Sequence, residues 1–149
     1  NSKLFHVIEQ DTNDADKAVR HCLKRECTEI HILGAEGSRN DQFLSSLEIL
    51  FKYTPNVRLI LWTPLERMEF ILDNWKENLP PGTILSLLPL FGGAQGVVTH
   101  GLEFSLDGHD LLPGKTPSGV SNLVIGNPVS VTLKKGQLLL VVQHTTNYS

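Results

Sequence analysis

Apolar residues recur along this chain at two different spacings, and the change falls near its middle. In the first half the spacing is helical. Ala15, Ala18, Val19, Cys22 and Leu23 share one side of a helix predicted over Asp14 to Lys24, with Thr12, Asn13 and Asp14 as candidate caps. Phe43, Leu44, Leu47, Ile49, Leu50 and Phe51 predict a second helix over Asp41 to Tyr53. Two short apolar runs, Glu29 to Leu33 and Asn56 to Trp62, read as buried strands. A succession of strand, loop, helix and strand implies parallel strands joined by a crossover.

From Pro80 onward the helical period is lost. Strands are predicted at Thr83 to Pro89, Gly96 to Glu103, Ser121 to Gly126, Val129 to Lys134 and Gln137 to Gln143. Turns are predicted at Pro80-Pro81-Gly82, Gly92-Gly93, Asp107-Gly108, Pro113-Gly114 and Lys135-Gly136. Short strands separated by turns at this density suggest a small antiparallel sandwich or barrel. Glu66 to Leu72, at the border, suits helix or strand.

Composition narrows the function classes. At 149 residues the chain is one ordinary domain or two small ones. With 40% hydrophobic and 19% charged residues it can build a core and is not expected to be disordered. A net charge of -3 and the lack of a basic cluster argue against nucleic acid as a partner. An anion would have to be held by local N–H groups, by Arg or through a metal. No apolar run is long enough for a membrane span. The start, Asn1 to Glu9, does not read as a signal peptide. Phe5-His6-Val7-Ile8 reads as the tail of a strand with no cap before it, so further residues are expected upstream. Cys22 and Cys27 do not have zinc-ligand spacing and read as packing residues, which fits a reducing, cytoplasmic setting.

Three stretches carry candidate chemistry. The first is Ile32 to Gln42, where a strand delivers a glycine loop and a helix follows. Glycines let backbone amides approach an anion, and the helix start adds open N–H groups. Arg39 could fork onto a phosphate and Asp41 could hold magnesium. The same residues equally suit an ordinary turn with a helix cap at Asn40 or Asp41, and no P-loop lysine follows. The second is Gln10 to Asp14, which suits a cation or ribose contact but reads more simply as a cap. The third is Thr116 to Asn122, whose Ser and Asn offer compact groups for a heterocycle edge. An ordinary turn entering a strand explains it as well. None of the six histidines forms a ligand cluster, and His100 and His109 receive no role.

In order, these stretches resemble the thiamine pyrophosphokinase family. Gln10-Asp11-Thr12-Asn13-Asp14 is similar to its Gln/Lys-Asp-x-Thr-Asp helix start. Gly34 through Gln42 is similar to its Gly-x-x-Gly-x-Arg-x-Asp-His/Gln loop. Gly101-Leu102-Glu103-Phe104-Ser105-Leu106 is similar to its Gly-Leu-x-aromatic-x-Leu strand, and Val120-Ser121-Asn122 to its Ser/Thr-Ser-Asn signature. A closing hairpin like Val129 to Val142 ends the family's fold. This sequence departs at Asn13, Ser38 and Val120, lacks a Trp in the last strand, and does not contain the family's Gly-Asp-x-Asp-Ser motif.

The resemblance implies an α/β fold. A Rossmann-like parallel sheet domain, its N-terminal part lying upstream, would be followed by a small antiparallel β-sandwich. The division is expected at residues 1–66 and 67–149, with Glu66 to Leu72 a strand. The implied activity is diphosphate transfer from ATP to thiamine, giving thiamine diphosphate and AMP, with magnesium (Mg2+) as cofactor. The alternative is a non-catalytic thiamine- or nucleotide-binding relative. By the same resemblance Asp14 and Asp41 would be the catalytic and metal-binding acids. Asn13, Gly34, Gly37, Arg39 and Gln42 would serve ATP, and Ser121 and Asn122 would contact thiamine. The implied assembly is a homodimer with its site at the interface.

Overall fold

The computed structural model describes residues 14–35, 39–115 and 119–144. Helix α1 spans Asp14–Leu23, with Asp14 and Asp16 in its first turn and Arg20 and His21 in its last. Those charges complement the helix dipole at both ends. The chain then forms strand β1 (Glu29–Leu33), helix α2 (Asn40–Tyr53) and strand β2 (Arg58–Trp62). β1 and β2 pair in parallel, from Glu29 opposite Arg58 to Leu33 opposite Trp62, as the crossover pattern predicts.

Strands follow one another from there. They are β3 (Glu66–Ile71), β4 (Asn74–Glu77), β5 (Ile84–Leu88), β6 (Ala94–His100), β7 (Asp107–Leu111), β8 (Gly119–Leu123), β9 (Val129–Thr132), β10 (Lys135–Gly136) and β11 (Leu138–Gln143). One sheet has six strands in the order β1-β2-β3-β11-β5-β8. Its parallel pair is β1 with β2, and the other pairings are antiparallel. The second sheet is antiparallel, ordered β10-β6-β9-β4, with β7 also on β6. The expected α/β class, with parallel pairing and a separate antiparallel sheet, is therefore present.

β11 joins the layers by contributing to two cores, one on each face. Leu138, Leu140 and Val142 pack between the sheets with Val97, Val129 and Val131. Leu139 and Val141 point the other way, to Leu47, Leu50, Met68 and Phe70 beneath the helices. A strand buried on both faces needs an unbroken apolar run, and Leu-Leu-Leu-Val-Val supplies it.

Three elements differ from expectation. β4 has a single inward apolar residue, Trp75, so it offers no alternation to read. Asp107-Gly108 and Lys135-Gly136, predicted as turns, instead open β7 and form β10. Apart from buried Leu111 both strands are exposed, so hydrogen bonding to β6 more than burial defines them.

β3 pairs with β2 on one side and β11 on the other, so the sheet runs unbroken through residue 66. Charged groups reinforce that junction. Arg58 donates to Glu69 through Nε at 2.8 Å and Nη2 at 2.9 Å, and to Glu29 through Nη1 at 2.8 Å. Arg67 donates to Glu69 at 3.3 Å and to Glu77 at 2.7 Å. Glu69 is buried, and its charge is tolerated because guanidinium groups occupy both oxygens. Among the described residues no helix is long and apolar enough to cross a membrane.

Candidate functional site

β1 ends at Leu33, and Gly34 turns the chain with a φ of 72°. An added Cβ there would meet nothing within 4 Å, so glycine serves the left-handed backbone rather than a tight contact. α2 then starts at Asn40. The cap position belongs to Arg39, in extended conformation and with no side-chain cap bond, rather than to Asn40 or Asp41. The amide of Phe43 bonds Arg39 O at 3.5 Å, and the amides before it have no partner within the helix. The Asp41 carboxylate accepts two of them, from Gln42 and from its own amide.

The structure brings Arg39 and Asp41 together. Arg39 donates to Asp41 through Nε at 3.1 Å and Nη2 at 2.6 Å, and both side chains are exposed. That fork holds the Asp41 carboxyl below the usual carboxylate range. A guanidinium, a carboxylate and the first amides of α2 thus stand together after a parallel strand. The set can offer donors to an anion and an oxygen ligand to a hard cation. Gln42 is exposed in the same turn. Asn13 and Gly37 lie outside the described residues.

Asp14 is placed differently. It opens α1 with its side chain in solvent, 3.5 Å from Lys17 Nζ. The acid that α1 buries is Asp16, which sequence reasoning did not single out. Its Oδ1 accepts from Lys52 Nζ at 2.8 Å and Tyr53 OH at 2.9 Å, and its Oδ2 lies 3.0 Å from Arg20 Nε. Burial pushes the Asp16 carboxyl up, but those bonds and the charges of Lys52 and Arg20 outweigh it and leave the group below its ordinary value. Lys52 and Tyr53 are in the last turn of α2, whereas Asp41 is in its first. No hydrogen bond or ion pair joins Asp14 to Asp41. Among the described residues no group of three or more His, Cys, Asp or Glu could hold a metal ion.

Ser121 and Asn122 lie on β8, at the other edge of the six-stranded sheet. Ser121 has a φ of 60°, and its amide donates to Ser86 Oγ at 3.0 Å. Asn122 clamps a neighbouring segment. Its Nδ2 donates to Phe104 O at 2.7 Å, and its Oδ1 accepts from the amides of Phe104 at 3.0 Å and Leu123 at 2.9 Å. The clamp shapes a cavity of about 350 Å³ walled by Leu87, Phe104, His109, Asp110, Val120 and Asn122, among others. Mostly apolar walls with a few polar groups suit a small heterocycle. His109 and Asp110 went unassigned in the sequence because β7 has a single apolar residue, Leu111, and no periodicity marks it.

β1 and β8 are opposite edges of one sheet with four strands between them. At about 4.8 Å per strand the edges stand roughly 24 Å apart. The glycine loop and the Ser-Asn strand of one chain therefore do not face each other across a shared cleft.

Comparison with known proteins fits both halves. The model of the thiamin pyrophosphokinase catalytic domain matches residues 1–61, and that of the thiamin pyrophosphokinase vitamin B1 binding domain matches residues 73–138. Thiamine pyrophosphokinase from Bacillus subtilis superposes with a TM-score of 0.83 at 22% identity, covering 92% of this chain and 65% of that one. The Geobacillus thermodenitrificans enzyme gives 0.82 at 18%, covering 93% and 65%. The yeast enzyme gives 0.64 at 22%, covering 76% and 39%. This chain thus spans 65% of the length of the two bacterial structures, and at such identities the likeness speaks for the fold. No curated protein matches the sequence.

Proposed function

Because this chain belongs to the thiamin pyrophosphokinase family, we propose that it carries out diphosphate transfer from ATP to thiamine, giving thiamine diphosphate and AMP. One observation carries the reading. The chain holds, in family order, a glycine-led helix start bearing Arg39 and Asp41 and a separate cavity beside the Ser-Asn strand. Two substrates of different chemistry, a polyphosphate and a heterocycle, need two such half-sites.

In this reading Gly34, Gly37, Arg39, Gln42 and Asn13 bind ATP. Backbone amides at the start of α2 and the Arg39 guanidinium spread donors over the phosphate oxygens, where charge builds as the diphosphate moves. Asp41 and Asp14 are the acids we assign to Mg2+, and carboxylate oxygens suit that hard cation. With no three-acid cluster among the described residues, phosphate oxygens and water would complete its ligand set. When bound, magnesium neutralises phosphate charge. Ser121 and the cavity shaped by Asn122 hold thiamine. Asn122 acts mainly by fixing Phe104, since its amide is already spent on backbone.

The separation of the half-sites supports a homodimer, in which the glycine loop of one subunit meets β8 of the other. We place the division between nucleotide and vitamin portions near residue 66, and the setting in the cytoplasm, whose reducing conditions fit Cys22 and Cys27 as thiols at rest.

AMP release from ATP, measured with and without thiamine, tests the proposal. Release that depends on thiamine and falls at least about 100-fold in Asp41→Asn, with unchanged circular dichroism, is the expected result. Binding of both substrates with no release would instead make this a non-catalytic relative.

A further inference from the structure

The chain's two cysteines, Cys22 and Cys27, occupy two positions that a helix-ending motif brings together. Glu26, just past α1, has a left-handed φ of 59°. Its amide bonds Leu23 O at 3.0 Å, and the amide of Cys27 reaches back to Cys22 O at 3.3 Å. This nested pair of bonds is the Schellman arrangement, in which the residues tied by the outer bond also bring their side chains into contact. Apolar residues usually fill that contact. Here both are cysteine, and burial together with the neighbouring Cys27 raises the Cys22 thiol above its ordinary value. Each is half-buried, so a small reagent can reach it.

We propose that Cys22 and Cys27 are a reversible dithiol–disulfide pair, oxidised by a small-molecule disulfide such as glutathione disulfide. One cysteine loses its proton to water, and the thiolate attacks a sulfur of glutathione disulfide. That S–S bond breaks, a mixed disulfide forms, and one glutathione thiolate leaves. The second cysteine, likewise deprotonated, attacks the protein-side sulfur and expels the other glutathione thiolate. The two released protons end on the two glutathione thiolates. The cysteines are oxidised by two electrons and glutathione disulfide is reduced by two. The new bond staples the last turn of α1 to the residues that lead into β1.

The contact is local, so the reaction belongs to the folded protein and needs no partner chain. The test treats the native protein with glutathione disulfide, blocks remaining thiols with an alkylating reagent and weighs the intact chain. The expected product is monomeric on a non-reducing gel, has lost two hydrogens and takes up no alkyl group. Dithiothreitol should restore both alkylation sites. Cys22→Ser and Cys27→Ser should each stop at one bound glutathione. The proposal is overturned if the native protein keeps glutathione adducts, cross-links between chains, or forms the internal bond only after unfolding in urea.

Discussion

At Ser121 the backbone and the hydroxyl ask for different residues. A φ of 60° costs a non-glycine residue about 1–2 kcal/mol, yet the assigned thiamine contact needs the Oγ. The two demands can be separated. Ser121→Gly should raise stability by about 1 kcal/mol in urea denaturation, and Ser121→Ala should not. Both should weaken thiamine binding in calorimetry while leaving ATP binding alone. Equal thiamine affinity in all three proteins would remove the hydroxyl from the site. Asp16 makes a second case. Its carboxyl sits below the ordinary value of 3.8. The stability it contributes is therefore fully present above that pH and is lost as pH falls through the lower folded-state value. Asp16→Asn should cost about 1.5–3 kcal/mol near neutral pH, the range for hydrogen bonds to a charged group. In strong acid the variant and the parent should converge. A gap that persists in acid would assign the loss to packing instead.

At the level of elements, β11 is the piece on which both cores depend. Leu139 is 2% exposed beneath the helices and Leu140 is 1% exposed between the sheets. Truncating either to Ala should cost about 2–5 kcal/mol, where a one-faced strand would show the loss at alternate residues alone. Denaturation midpoints of the two variants give the answer directly. The strand's unbroken apolar run was plain in the sequence, and so were β2 and the helical period of both helices. β1 was also found, but as an edge strand with Leu33 75% exposed rather than the buried strand expected. β4, β7 and β10 left no period. One is four residues with a single buried Trp75, and the others are wet and held by hydrogen bonds to β6. The site was legible in the same uneven way. Glycine, Arg39 and Asp41 announced a loop before a helix. That Arg39 forks onto Asp41, that Asn122 is spent on Phe104, and that His109 and Asp110 wall a cavity all depend on pairings between distant segments. Spacing along the chain does not encode those.

Across the whole molecule, the six-stranded sheet holds β1, which leads to Gly34, and β8, which carries Ser121 and Asn122, at opposite edges. The Glu29, Arg58, Glu69, Arg67 and Glu77 network ties β1, β2, β3 and β4 together around buried Glu69, so bending β2 away from β3 would take Arg58 from that buried charge. In the homodimer we propose, two copies related by a twofold axis would meet without deformation, each lending β8 to the other's glycine loop. This makes a quantitative prediction. Asp41→Asn disables the phosphate half and a bulky Ser121→Trp change blocks the vitamin half, so each variant alone should be inactive. Mixed and allowed to exchange subunits, half of the dimers become heterodimers. In each of these, one interface collects both lesions and the other collects none. About a quarter of parental thiamine-dependent AMP release should return. If each chain completed its own site, mixing would return nothing, because every site would still carry one lesion.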